Sequence, residues 1–140
     1  MDINLKKIRY SKTDIEKKIR IPTTLTPELA EDIGIHIGDG SLYWCNKKRA
    51  STEFEYSFHV GEKNYREHVL NLKKELYNLS KVRMYQYGNE IRLKFCSLVI
   101  ATFYHDVLKF PIGKKSDIVR IPKIILNAKD PKILASCIRG

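Results

Sequence analysis

Asp39 closes the segment Leu29-Ala-Glu-Asp-Ile-Gly-Ile-His-Ile-Gly-Asp-Gly-Ser41, in a chain of 140 residues with a formal charge of +10. A carboxylate presented by small residues at a helix end, in a protein rich in Lys and Arg, can hold a divalent cation against nucleic-acid phosphate. Hydrolysing a phosphodiester needs an activated water, charge neutralisation at phosphorus and help for the leaving oxygen, and divalent ions held by carboxylates supply all of these. Mg²⁺ favours few carboxylates, several waters and substrate phosphate oxygens, so a sparse protein site is expected. The bland alternative is a helix stopped by Gly40 with Asp39 capping a turn. His36 falls on the helix face away from Gly34 and reads as a packed histidine. His59, His68 and His105 have no partner at useful spacing.

Stepping out from Asp39, the elements that must position it are legible. Thr26, Pro27 and Glu28 form a strong helix start: a hydroxyl N-cap, a proline at the first helical position and an acid in the first turn. The helix runs to about Gly38, with Ala30, Ile33, Gly34 and Ile37 on one face, a surface that admits close backbone approach. Ser41–Cys45 and Glu53–Val60 then read as strands, the second alternating through Phe54, Tyr56 and Phe58, with the basic turn Asn46–Ala50 between them. Tyr65–Leu79 reads as a helix with Val69, Leu72 and Leu76 inward. Lys81–Tyr87 and Glu90–Phe95 flank Gly88-Asn89, which fits a tight hairpin. Leu98–Leu108 is helical again. Two hairpins interleaved with helices imply an α+β domain, one four-stranded antiparallel sheet backed by helices.

The unusual composition is 26 Lys and Arg against 16 Asp and Glu; 43% hydrophobic and 30% charged residues are ordinary for a globular chain. An anionic partner follows. The basic residues lie in Lys6–Arg20, Lys47–Arg49, Lys81–Lys94 and Lys109–Lys132, which suits a long concave surface, the alternative being a solvated exterior. No helix carries one basic and one bulky apolar face, so a membrane surface is not indicated. Cys45, Cys96 and Cys137 are far apart without zinc spacing and read as reduced core thiols of an intracellular protein. With no apolar leader and no long apolar run, a cytoplasmic location is expected.

Arg20-Ile21-Pro22 recurs as Arg120-Ile121-Pro122, and each is followed by a proline (Pro27, Pro131), a Leu-Ala pair (Leu29-Ala30, Leu134-Ala135) and a glycine (Gly34, Gly140). A duplicated unit is implied. The chain divides into an N-terminal basic extension (1–22), a main domain (23–127) and the start of a second, truncated motif helix (128–140).

These residues resemble the LAGLIDADG homing endonucleases. Asp32-Ile-Gly-Ile-His-Ile-Gly-Asp-Gly40 looks like that family's motif, with Gly34 and Gly38 at its small positions and Asp39 at its acidic one, and Ile138-Arg139-Gly140 looks like the opening of another copy. The resemblance implies two motif helices packed side by side through Ala30, Gly34 and Gly38, with sheets forming a saddle over double-stranded DNA. It also implies Mg²⁺ held by Asp39 together with the backbone at Gly38. A lysine near the active centre is expected in Pro111-Ile-Gly-Lys-Lys-Ser116, where Lys115, with Lys114 beside it, would stabilise the phosphorane or contact phosphate.

Alternating strand residues can enter the major groove while basic residues take phosphates. Candidates are Tyr43, Lys47, Lys48, Arg49, Glu55, Ser57 and His59 in the first hairpin and Arg83, Tyr85, Tyr87, Arg92 and Lys94 in the second. Which alternation faces DNA is open, because a one-residue slip exchanges the sets. A homodimer through the motif helix would bring two copies of Asp39 together. A single truncated chain would bind DNA but nick it poorly or not at all. A non-catalytic DNA-binding regulator or an RNA maturase on the same fold remains an alternative.

Overall fold

The computed structural model describes residues 2–45, 51–113 and 121–139. In chain order its elements are α1 (Lys12–Glu16), α2 (Pro27–Asp39), β1 (Gly40–Trp44), β2 (Thr52–His59), α3 (Lys63–Tyr77), β3 (Arg83–Tyr87), β4 (Glu90–Phe95), α4 (Leu98–Thr102), α5 (Lys123–Leu126) and α6 (Pro131–Arg139). The α+β class is as expected, and both hairpins join in one four-stranded antiparallel sheet of order β1-β2-β4-β3. The helix expected over Leu98–Leu108 is split: α4 gives way to a π-helical turn over Phe103–Val107. No helix among the described residues is long and apolar enough to cross a membrane.

The start of α2 follows its sequence signals. The Thr26 side chain accepts from the Leu29 amide, Pro27 occupies the first turn and Glu28 supplies the acid. Its end is a steric matter. Gly40 is already extended backbone (φ −103°), and a Cβ there would sit 2.6 Å from the Tyr56 ring and 2.8 Å from His36 Nδ1. Only glycine lets the chain pass from helix to strand without a linker while those side chains meet.

Period-two alternation decides the sheet's faces. Leu42, Phe54, Tyr56, Phe58, Ile91, Leu93 and Phe95 are buried against the helices, and the register pairs Phe54 with Phe95, Tyr56 with Leu93 and Phe58 with Ile91. Phe54 and Phe95 stack at 4.8 Å between centroids. Tyr87 pairs with Glu90 across the Gly88-Asn89 turn, where Gly88 takes φ +59°.

The segment before α2 is part of this body. Ile3, Ile19 and Ile21 enter the core, and Asp2 bridges to Thr24. Asp14, buried, receives the Ser97 hydroxyl at 2.7 Å and the Val99 amide at 2.9 Å, which ties α1 to the first turn of α4. Residues 2–22 are thus docked rather than trailing, because their isoleucines have an apolar surface to cover.

Helices α2 and α6 lie side by side. A Cβ at Gly34 would fall 1.8 Å from the carbonyl oxygen of Cys137, so the two backbones touch there. Ile133, Ser136 and Cys137 of α6 are buried, whereas Cys45 and Cys96, expected in the core, are exposed at strand ends. One cleft is lined by Leu25, Thr26 and Pro27 at the start of α2 and by Asp130 and Ile133 at the start of α6, so the helices set out from the same end.

Candidate nucleic-acid interface and acidic helix end

Asp39 is the last residue of α2, and Gly40 behind it already pairs with Tyr56 of β2, which places the carboxylate at the rim of the sheet. It is exposed, and the Tyr65 hydroxyl approaches Oδ2 at 3.5 Å from α3. Burial, and then the neighbouring Asp39 carboxylate, push the Tyr65 phenol up to about 12, so it remains a donor at neutral pH. Gly34 is at the helix joint, as the spacing suggested, and Ala30 is fully buried. At Gly38 a Cβ would meet nothing within 4 Å among the described residues. The helix joint therefore closes at Gly34 and leaves open space a turn later, because α2 turns its Gly38 edge to solvent. Among the described residues no three His, Cys, Asp or Glu side chains are grouped to hold a metal.

A single exposed carboxylate with adjacent backbone carbonyl oxygen is compatible with the sparse ligation of Mg²⁺, provided water and phosphate complete the shell. A second Asp39 from another copy would add a further carboxylate. Lys47, Lys48, Arg49, Lys114 and Lys115 lie outside the described residues.

Which alternation faces outward is settled by the register. Tyr43, Glu53, Glu55, Ser57, His59, Arg83, Tyr85, Tyr87, Glu90, Arg92 and Lys94 share the face opposite the helices. Every strand residue nominated from sequence falls on it, apart from those of the undescribed turn. The charges there are paired. Arg92 reaches Glu90 at 3.1 Å and Glu55 at 3.7 Å, and Lys94 reaches Glu55 at 3.5 Å. Arg83 and the Tyr43 hydroxyl both engage Glu53. Arg92 lies 4.5 Å from the centroid of Tyr87 and Lys94 5.4 Å from that of Tyr85. Arg92 and Ser57 hold the Glu90 carboxyl below its ordinary range. Glu53 is also held low: burial would raise it, but the hydrogen bonds from Tyr43 and Arg83 prevail.

The chain matches no known family model and no curated protein.

Beneath the same sheet lies a cluster that sequence reasoning missed. Asp32, fully buried on α2, faces Lys73 Nζ at 2.6 Å. Its other oxygen accepts the hydroxyls of Tyr77, at 2.6 Å, and Tyr104. Lys73 donates to the Tyr56 hydroxyl at 2.9 Å, and that hydroxyl shares a hydrogen bond with His36 Nδ1 at 3.1 Å. Burial would depress the Lys73 ammonium, but Asp32 and Tyr56 outweigh it and hold its pKa above the ordinary value. Burial pushes Tyr56 up to about 12. The signal available in the sequence was Asp32 and His36, one helical turn apart beside the apolar face of α2.

Proposed function

We propose that this chain binds double-stranded DNA across the outward sheet face and cleaves it as a Mg²⁺-dependent endonuclease of the LAGLIDADG type, with Asp39 at the reacting phosphate. The observation that carries this reading is the α2–β1 corner. A helix closely packed at Gly34 ends in an exposed carboxylate at the rim of a sheet face set with Arg, Lys, Glu and Tyr.

In this reading the strands lie along the major groove and fix the scissile phosphate over the rim. Asp39, with the carbonyl of Gly38, would hold Mg²⁺, which when bound supplies Lewis-acid charge neutralisation and an acidified water. The Tyr65 hydroxyl, donating to Asp39, orients the carboxylate. Gly40 prevents the carboxylate from swinging away from the sheet, since the residue that follows Asp39 is already paired to β2. A full double-strand break requires two such rims; because α6 already covers the Gly34 face of α2 within one chain, a homodimer through that helix would have to displace α6.

Sedimentation of the purified chain, alone and with duplex DNA, gives the stoichiometry. Cleavage of a library of duplex sites is then compared between wild type and Asp39→Asn, with and without Mg²⁺. The expected result is Mg²⁺-dependent cleavage by wild type, loss of at least about a hundredfold in the variant and retention of binding in both. Cleavage that survives the substitution removes Asp39 from the mechanism.

A further inference from the structure

The described strand residues of the outward sheet face carry no net formal charge, although the chain as a whole is at +10. Glu53, Glu55 and Glu90 stand against Arg83, Arg92 and Lys94. A surface built to grip phosphates would leave its cations free, since affinity for the backbone comes from uncompensated Lys and Arg releasing counterions. Arg92 and Lys94 instead lie on tyrosine rings and share the carboxylate of Glu55, and Arg83 pairs with Glu53. Such pairing holds long side chains in fixed positions, which favours base reading over electrostatic attraction.

The order of groups across the strands adds a chemical constraint. Glu55 on β2 is directly opposite Lys94 on β4, and Arg92 on β4 is directly opposite Tyr85 on β3, so carboxylate acceptors and cationic donors occur on neighbouring strands of one face. In the major groove guanine offers O6 and N7 as acceptors to Arg or Lys, and cytosine offers its N4 amino group to a carboxylate. A donor and an acceptor held side by side therefore match the two halves of a G·C pair. An A·T pair offers the carboxylate the adenine amino group, but its acceptors N7 and O4 flank that donor singly and the thymine methyl adjoins O4, so no base presents the adjacent O6 and N7 pair that guanine gives a cation.

Resting on the DNA-binding reading above, we infer that the paired Glu55, Arg92 and Lys94 form a reader of G·C pairs in the major groove, with the glutamate serving both as cytosine acceptor and as a brake on phosphate binding. Removing its charge should then do two things at once. The variant should lose selectivity and gain indiscriminate affinity.

The test is selection of duplexes from a randomised library by wild type, Glu55→Gln and Arg92→Gln, followed by affinity measurements over a salt series. Melting of each purified variant checks that the fold is retained. Wild type is expected to enrich G·C pairs in the core of its site. Glu55→Gln should lose about fivefold or more of the preference for cytosine at one position. It should also bind unrelated duplex more tightly, with a log–log salt slope steeper by up to about 0.9. Arg92→Gln should lose the guanine preference at a neighbouring position. Wild-type selection of an A·T core, or an unchanged sequence profile in a folded Glu55→Gln, overturns the inference while leaving the DNA-binding reading intact. If wild type binds no duplex at any salt concentration, the DNA-binding reading itself falls.

Discussion

The two faces of the sheet carry the same kinds of groups in opposite settings. Inside, Asp32 and Lys73 meet among Tyr56, Tyr77 and Tyr104; outside, Glu55 meets Lys94 and Arg92 beside Tyr85 and Tyr87. The inner pair is essentially removed from water, at 2% and 0% side-chain exposure, whereas the outer Lys94 and Glu55 retain 20% and 21%. In low dielectric each ion depends on its partner, so the inner cluster locks α2, α3 and the sheet into one arrangement. At the surface water can replace either partner, and the same chemistry becomes exchangeable for a ligand. Carboxylate, cation and phenol are locked away from water in one place and open to it in the other.

The comparison breaks most readily from the inside. Lys73→Met leaves Asp32 buried without its counter-charge and should cost about 3–5 kcal/mol in denaturant unfolding. Asp32→Leu combined with Lys73→Met should recover much of that loss, since an uncharged pair carries no desolvation cost. Stability of Lys73→Met within about 0.5 kcal/mol of wild type would show that the ion pair is not the lock.

Next in size is the helix joint. Gly34→Val places a side chain where the Cys137 carbonyl oxygen now sits, 1.8 Å from the Cβ position. Displacing α6 should cost about 1–3 kcal/mol and lower the melting temperature. An unchanged melting temperature would mean that α6 is not bound to α2 in solution.

Alkali sharpens the contrast between the faces. Tyr56 is pushed up to about 12 and Tyr77 and Tyr104 well above their ordinary 10.0, all chiefly by burial. The folded protein therefore retains these protons after the unfolded chain has begun to lose them. Their contribution is complete below about pH 10 and falls as pH rises through about 12. The raised Lys73 acts with the same sign. The denaturation midpoint should fall over that window, and tyrosinate absorbance from these residues should appear together with unfolding. Tyrosinate formation by all eight tyrosines before any loss of structure would contradict it.

The smallest effect belongs to the outer face. Glu55→Gln should change unfolding free energy by no more than about 1 kcal/mol. A much larger loss would make the outer network structural like the inner one.

What was legible in the sequence was whatever depends on near neighbours along the chain. The Thr26 cap, the Pro27 start, the Gly88-Asn89 turn and the alternation of Phe54, Tyr56 and Phe58 each act within a few residues, and the structure has all of them. The candidate contact residues of the strands were named, but not their orientation, because that depends on pairing between distant segments. The Asp32–Lys73 cluster was not legible for the same reason: its members are drawn from α2, β2, α3 and the turn after α4. Docking of residues 2–22 was hidden because Asp14 finds its partners at Ser97 and Val99. The basic runs suggested a positive trough, and counting charges along the chain could not show that three of the cations share carboxylates across strands.

Helix α2 ends at Asp39 and strand β1 begins at Gly40. With no slack between them, helix and strand form one bent bar fixed where Gly34 meets Cys137, so the position of the carboxylate is tied to that of the strand edge.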